Sequence, residues 1–243
     1  MQLETFYNQF QQKNSRYYKQ IGEENFTYFL SLQLLRPVLQ KLGHRARVLD
    51  VGCGVGPVTL YCAVRARFAF GIDVSNRAIA IATNAQRRLG SKNIRFVCGQ
   101  LSDGMGDFSL IIASEIIEHI ADDKIFAQQL ASNLSQGGWL VLTTPSSENL
   151  LTQIGFYRTF DRAVGHHRRY TKTSLSALLS QVGFEVVYVR QVEGMLRNVL
   201  FTTSLGFLIR FIRGPLIPLF HVVDSWIAKI FGGSDLQVIA RKR

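Results

Sequence analysis

Residues 47–56, Arg47-Val48-Leu49-Asp50-Val51-Gly52-Cys53-Gly54-Val55-Gly56, decide the fold. An apolar run reads as a buried strand and leads directly into three glycines at alternate positions. Pro57 follows, and proline suits the first turn of a helix because its missing N–H is not needed there. A strand, a glycine turn and a helix in that order bring backbone close to a ligand. The third glycine falls at 56, so the spacing is not the dinucleotide pattern G-x-G-x-x-G. Asp50 also stands two residues before the first glycine, where a carboxylate would repel a pyrophosphate.

Downstream, the pattern alternates. Strands are predicted over 68–73, 94–99, 108–113 and 139–144, and helices over 57–66, 76–88 and 122–135, the last ending at Gly137-Gly138. Ser75 reads as the cap of the second helix. This rhythm predicts an α/β fold with a mostly parallel sheet and helices on both faces. Residues 146–171 lack strong periodicity and hold Arg158, Arg162, His166, His167, Arg168 and Arg169. A helix over 173–182 and strands over 184–190 and 235–241 complete the pattern. Upstream, 3–20 and 24–41 read as helices. The resulting division is an N-terminal helical lid at 1–46, a main domain at 47–192 with 233–243, and an insert at 193–232.

Composition bounds the function. The chain has 243 residues, 47% hydrophobic and 19% charged, enough for a sizeable core and incompatible with a disordered or collagen-like chain. Three cysteines, Cys53, Cys62 and Cys98, are no disulfide framework and fit a reducing compartment. The polar, aromatic start is not a signal peptide, and no run of 18 apolar residues exists, so a cytoplasmic location is expected. The net charge is +11, of which +8 lies in residues 151–243. Such an excess favours an anionic partner, whether nucleic acid, acidic lipid or anionic substrate.

Asp50 suits a ligand carrying positive charge. Asp73, at the end of the second strand, can accept two ribose hydroxyls. S-adenosyl-L-methionine has a ribose, an ammonium and a sulfonium. The segments VLDVGCGVGPVTLYCA (48–63), FGIDVS (70–75), FSLIIASEIIEHI (108–120) and GGWLVLTTPS (137–146) resemble the class I S-adenosylmethionine-dependent methyltransferases, nearest the branch acting on quinone precursors and lipid-like molecules. The resemblance implies a Rossmann-like seven-stranded sheet whose last strand is antiparallel and slots between the fifth and sixth. It also implies that Gly52, Cys53 and Gly54 contact the methionine part and Asp73 the ribose, with Asp50, Gly56 and Val74 among the other cofactor-binding residues. Gln100 and Leu101 would border the adenine, with Ser114 and Glu115 completing the pocket. The family often has an acid near position 100. Here either Gln100 or Asp103 would hold the adenine amino group.

Methyl transfer from a sulfonium is an in-line displacement that depends mainly on alignment. A base is needed when the acceptor is a hydroxyl, and His119, His166 and His167 are the candidates. The adjacent arginines suit an anionic group on the acceptor. No Cys/His metal-ligand spacing occurs, and Asp122-Asp123 reads as helix N-terminal charge, so no metal is expected. The aromatic residues Phe6, Tyr7, Phe10, Tyr17 and Tyr18 suit a lid. Residues 195–231 are apolar on a frame of Arg197, Arg210, Arg213 and Lys229, split by Pro215 and Pro218 into two helical pieces. This insert suits peripheral membrane contact, the roof of a greasy acceptor pocket, or a homodimer contact. The leading expectation is a methyltransferase for a small hydrophobic or membrane-associated acceptor. A nucleic-acid methyltransferase is disfavoured because Ser114-Glu115-Ile116-Ile117 replaces the Asn/Asp-Pro-Pro-aromatic motif. A non-catalytic cofactor-binding assembly protein is the other alternative.

Overall fold

The computed structural model describes residues 25–202 and 204–243. Residues 1–24, and with them the aromatic part of the expected lid, lie outside the described residues. In chain order the first half holds α1 (Phe29–Leu42), β1 (Arg47–Val51), α2 (Pro57–Ala63), β2 (Phe68–Asp73), α3 (Asn76–Arg88), β3 (Ile94–Cys98), β4 (Phe108–Ser114) and α4 (Asp123–Ser132). The second half holds β5 (Leu134–Pro145), α5 (Leu150–Gln153), α6 (Arg158–Val164), α7 (Lys172–Gln181), β6 (Phe184–Val192), α8 (Met195–Thr202), α9 (Leu216–Phe231) and β7 (Asp235–Lys242). Short 3₁₀ turns occupy Gly43–Arg45, Ile117–His119 and Ser204–Phe211.

The seven strands form one sheet in the order β3-β2-β1-β4-β5-β7-β6. β1 pairs in parallel with β2 and β4, while β7 runs antiparallel to both β5 and β6. The expected insertion of the last strand between the fifth and sixth is therefore what forms. Strand alternation divides the core in two. Leu49, Val51, Ile111 and Ala113 point to the layer closed by Phe126 and Leu130 of α4 and Leu175 and Leu179 of α7. Val48, Leu110 and Ile112 point to the other layer, closed by Leu35 and Leu39 of α1, Leu60 of α2 and Ala85 of α3.

The helix starts follow their caps. Ser75 accepts the Ala78 N–H at 3.1 Å, and Thr171 with Ser174 forms a reciprocal capping box at α7. Several boundaries differ from the sequence reading, among them the start of β5 at Leu134 and the end of α2 at Ala63, and two of the differences have a plain physical cause. The helix after β4 ends at Ser132 rather than at Gly137-Gly138. Buried Asn133 turns the chain by donating to Ser102 O and Gln129 O and accepting from Met105 N–H. The two glycines instead serve a break in register early in β5, where Phe108 pairs with Leu134 but Leu110 pairs with Trp139. In the insert, Pro215 caps α9, but Pro218 sits inside its first turn without breaking it. A proline there forfeits no helical hydrogen bond.

Candidate active site

The carboxyl ends of β1, β2 and β4 converge on a cleft of about 300 Å³. Gly52 enters it with φ +70°, and an added Cβ would fall 2.5 Å from Ile116 Cδ1. The positive φ is what requires glycine there, and a side chain would also displace the tip of Ile116. Asp73 forms the opposite wall. Its two oxygens accept the Gly54 and Ser75 N–H groups, each at 2.8 Å, which fixes the carboxylate plane across the end of β2. Burial raises its pKa, and those two backbone bonds oppose the rise.

Among the residues expected to hold the cofactor, Gly52, Asp73, Val74, Gln100, Leu101 and Glu115 line the cleft. Asp50, Cys53, Gly54, Gly56 and Ser114 do not. Asp50 is the informative departure. It is buried behind the glycine loop, where it accepts the Thr59 hydroxyl at 2.6 Å. Burial pushes its pKa up to about 7, the Thr59 bond opposes this, and nearby Asp73 adds to it. Cys53 is buried too, with its thiol turned to the Gly54 carbonyl, and Gly56 is the left-handed residue that starts α2. For the adenine amino group, Gln100 is at the cleft, whereas Asp103 is engaged by the Ser132 hydroxyl at 2.6 Å. The sequence reading missed Ile116, Ile120, Ile125, Phe126 and Gln129, which complete the wall. Ile116 and Ile120 belong to the segment 108–120 that carries the resemblance, whereas Ile125, Phe126 and Gln129 lie on a helix whose pattern does not distinguish its cleft face.

Glu115 carries backbone strain, with φ +53°. It is held by an N–H bond to Thr143 O at 3.0 Å and by the Thr143 hydroxyl on its Oε1 at 2.6 Å. Burial pushes its pKa up to about 7, against the Thr143 hydrogen bond. Glu118 is fully buried, with its Oε2 accepting from Thr144 and its Oε1 without a partner. Burial and then Glu115 hold its carboxyl well above the usual range.

The histidines separate. His119 lines the cleft, and its ring centroid lies 4.7 Å from that of His166 in an edge-on arrangement. His166 Nδ1 is 2.9 Å from Asp161 Oδ1, and Asp161 also accepts Arg169 Nε and Nη2 at 2.8 and 2.7 Å. Arg169 therefore keeps Asp161 ionised, Asp161 accepts the Nδ1–H of His166, and Nε2 is then the nitrogen that carries the lone pair. Burial lowers the pKa of both rings, that of His119 to about 4, while Asp161 works to raise that of His166. The exposed His167 side chain has no such setting. Its contribution is a backbone N–H bond to Glu118 O at 2.8 Å. Asp161 was missed from sequence because it lies on α6, in a stretch without periodicity.

The expectation that no metal-ligand grouping exists rested on spacing along the chain. In the fold, Glu118, His119 and His166 each bring a ligand atom within 4.8 Å of the others, a donor set suited to a divalent cation. Asp122 and Asp123 are not part of it. Asp122 caps α4 through Ile125 N–H, and Asp123 pairs with Arg168 and the Tyr170 hydroxyl.

The cleft's donor set fits S-adenosylmethionine. Each Asp73 oxygen accepts one backbone N–H and keeps a further lone pair for a ribose hydroxyl, Gln100 and Leu101 edge an apolar slot, and Glu115 offers a carboxylate. Residues 23–189 match the family described as a methyltransferase domain, and the chain belongs to that family, the S-adenosylmethionine-dependent methyltransferases. Ubiquinone biosynthesis O-methyltransferases from Rhizobium leguminosarum bv. trifolii and Agrobacterium fabrum are 32% and 33% identical to it over 100 residues. That match spans 40% of this chain and only 40% of each relative. A magnesium protoporphyrin IX methyltransferase from Synechocystis PCC 6803, solved with bound SAH, superposes with a TM-score of 0.63 over 99% of this chain and 98% of its own, at 16% identity. That likeness is one of fold.

Proposed function

We propose that the protein transfers the methyl group of S-adenosylmethionine to a hydroxyl oxygen of a small hydrophobic or membrane-associated acceptor. The observation that carries this reading is the Arg169–Asp161–His166 chain, whose imidazole lies against His119, a residue that lines the cleft. A bound cofactor supplies an already activated methyl on a sulfonium, so this chain's task is alignment and removal of one proton. Asp73, Gln100, Leu101 and Glu115 hold the cofactor. His166 Nε2 takes the acceptor's hydroxyl proton, and Asp161 stabilises the imidazolium that results. An amine acceptor would not need this base, so a proton-accepting dyad favours oxygen. The O-methyltransferase names of the partial relatives agree.

The acceptor's apolar character is supported by the same segment. Phe160 lies 5.9 Å from His166, ring to ring, and Phe156 and Ile154 are exposed nearby in sequence. The test is radiolabelled methyl transfer to a panel of alkyl-substituted phenols and matched anilines. The reading expects ether products and a loss of roughly 10²–10⁴ in kcat for His166→Ala with cofactor affinity retained. Transfer to anilines alone, or unchanged phenol turnover in His166→Ala, would overturn it.

A further inference from the structure

Helix α9 is built inside out. Its inward face holds Ile217, His221, Asp224 and Ala228, all buried. Its outward face holds Leu216, Leu219, Val222, Val223, Trp226 and Ile230, all exposed. The inward polar groups have structural work. Asp224 accepts the Gly194 and Arg197 N–H groups at the start of α8, at 2.7 and 3.0 Å. His221 stacks on Phe29 with centroids 4.6 Å apart. The outward face has no matching partner among the described residues. Trp226 is 65% exposed and Ile230 74%, the reverse of a helix packed on a core in water.

The 3₁₀ segment before it behaves alike, with Leu205, Phe207, Leu208 and Phe211 exposed. Exposed charge over 204–231 is all positive: Arg210, Arg213 and Lys229. The fourth cation expected on this surface, Arg197, is instead buried, bonded to Glu193 and to the Phe26 and Thr27 carbonyls. The exposed cations sit against the apolar groups. Arg210 lies over Phe207 and Phe211, at 5.5 and 4.9 Å, and Lys229 lies over Trp226 at 5.3 Å. A cavity of about 280 Å³ between α1 and α9 adds Arg190 beside Lys229. Cations held over aromatic rings, beside exposed aliphatic side chains, match the boundary between lipid phosphates and acyl chains.

We propose that residues 204–231 dock the protein on an anionic bilayer surface. The apolar side chains of α9 and of the preceding turn enter the acyl region, and Arg210, Arg213 and Lys229 meet the phosphates. With 16 residues at 1.5 Å rise, α9 is about 24 Å long, and no helix among the described residues is long and apolar enough to cross a membrane. The helix lies in the plane of the surface. This docking stands apart from the methyl-transfer reading, because it uses neither the cleft nor the histidines.

The experiment is flotation of the full chain with vesicles of phosphatidylcholine alone or with roughly 30% phosphatidylglycerol. Binding to the anionic vesicles is expected, weakened by ~0.5 M salt. Trp226→Ser/Ile230→Ser should lower it about tenfold or more, and Arg210→Glu/Arg213→Glu should remove the preference for anionic lipid. Unchanged circular dichroism and S-adenosylhomocysteine binding show that each variant is folded. Absence of the wild-type chain from the anionic vesicles overturns the proposal, as does equal flotation of both double variants. Light scattering supplies the other refutation. If the wild type is a dimer that Trp226→Ser/Ile230→Ser makes monomeric while vesicle binding persists, the face belongs to a second copy.

Discussion

Asp50→Asn tests the finding that the acid before the glycine loop is a buried, proton-retaining group. Asp50 is 4% exposed, its hydrogen-bond partner Thr59 is fully buried, and its pKa moves from 3.8 to about 7. A carboxyl with a raised folded pKa contributes stability that is complete below the unfolded value and is lost as pH rises through the folded value. At 1.36 kcal/mol per pH unit, the loss from Asp50 is about 2 kcal/mol at pH 5 and about 4 kcal/mol at pH 8. Asparagine matches the neutral form in shape, and its Oδ1 still accepts the Thr59 hydroxyl. The variant's stability relative to wild type should therefore improve by about 2 kcal/mol between pH 5 and pH 8. Urea unfolding at the two pH values reads this directly. Glu115, Glu118 and Asp235 shift in the same direction as Asp50, and His119 and His221 in the opposite sense. All are common to both proteins and leave the comparison, while Asp73, whose charge adds to the Asp50 shift, is relieved of that neighbour in the variant and changes the gap in the same direction. A stability gap constant to within about 0.5 kcal/mol would show that Asp50 ionises freely and refute the reasoning.

Two further predictions follow from single side chains. Asp161→Asn removes the charge that raises the His166 pKa, so the acidic limb of the kcat/KM profile should move to lower pH, while kcat falls because the imidazolium loses its partner; a limb that stays in place means Asp161 does not act through His166. Asn133→Ala strips Met105 N–H, Ser102 O and Gln129 O of a buried partner and should cost about 3 kcal/mol in urea unfolding, with cofactor affinity little changed.

The sheet was legible because its signals are local. Strand 47–51 runs into Gly52, Gly54 and Gly56, whose left-handed conformations only a turn of that type explains. Apolar runs of five or six residues separated by helical spacing identify β1 to β4, and the 17 residues from Gly56 to Asp73 bring the second carboxylate to the same sheet end. Boundaries failed where one residue's side chain replaced the expected glycine stop. Asn133 ends α4 through contacts 28 and 31 residues distant, at Met105 and Ser102, which no window on the sequence contains.

Periodicity and turn chemistry of neighbouring residues determined the alternation of strands and helices and the glycine turn at the cofactor end, while the seven-stranded topology with its inserted last strand was legible only through the resemblance of those segments to the methyltransferases. Which carboxylate faces the ligand and which faces the core was a tertiary decision. Asp50, one residue before the end of β1, and Asp73, the last residue of the adjacent β2, carry the same charge, yet Thr59 of α2 covers one while the cleft opens on the other. The pairing of Asp161 with His166, the meeting of Glu118, His119 and His166, and the outward apolar face of α9 arise in the same way. Helical periodicity in 216–231 shows that the two faces differ. The inward turn of Asp224 comes from the Gly194 and Arg197 N–H groups at the start of α8, which it satisfies and which lie some 30 residues earlier in the chain.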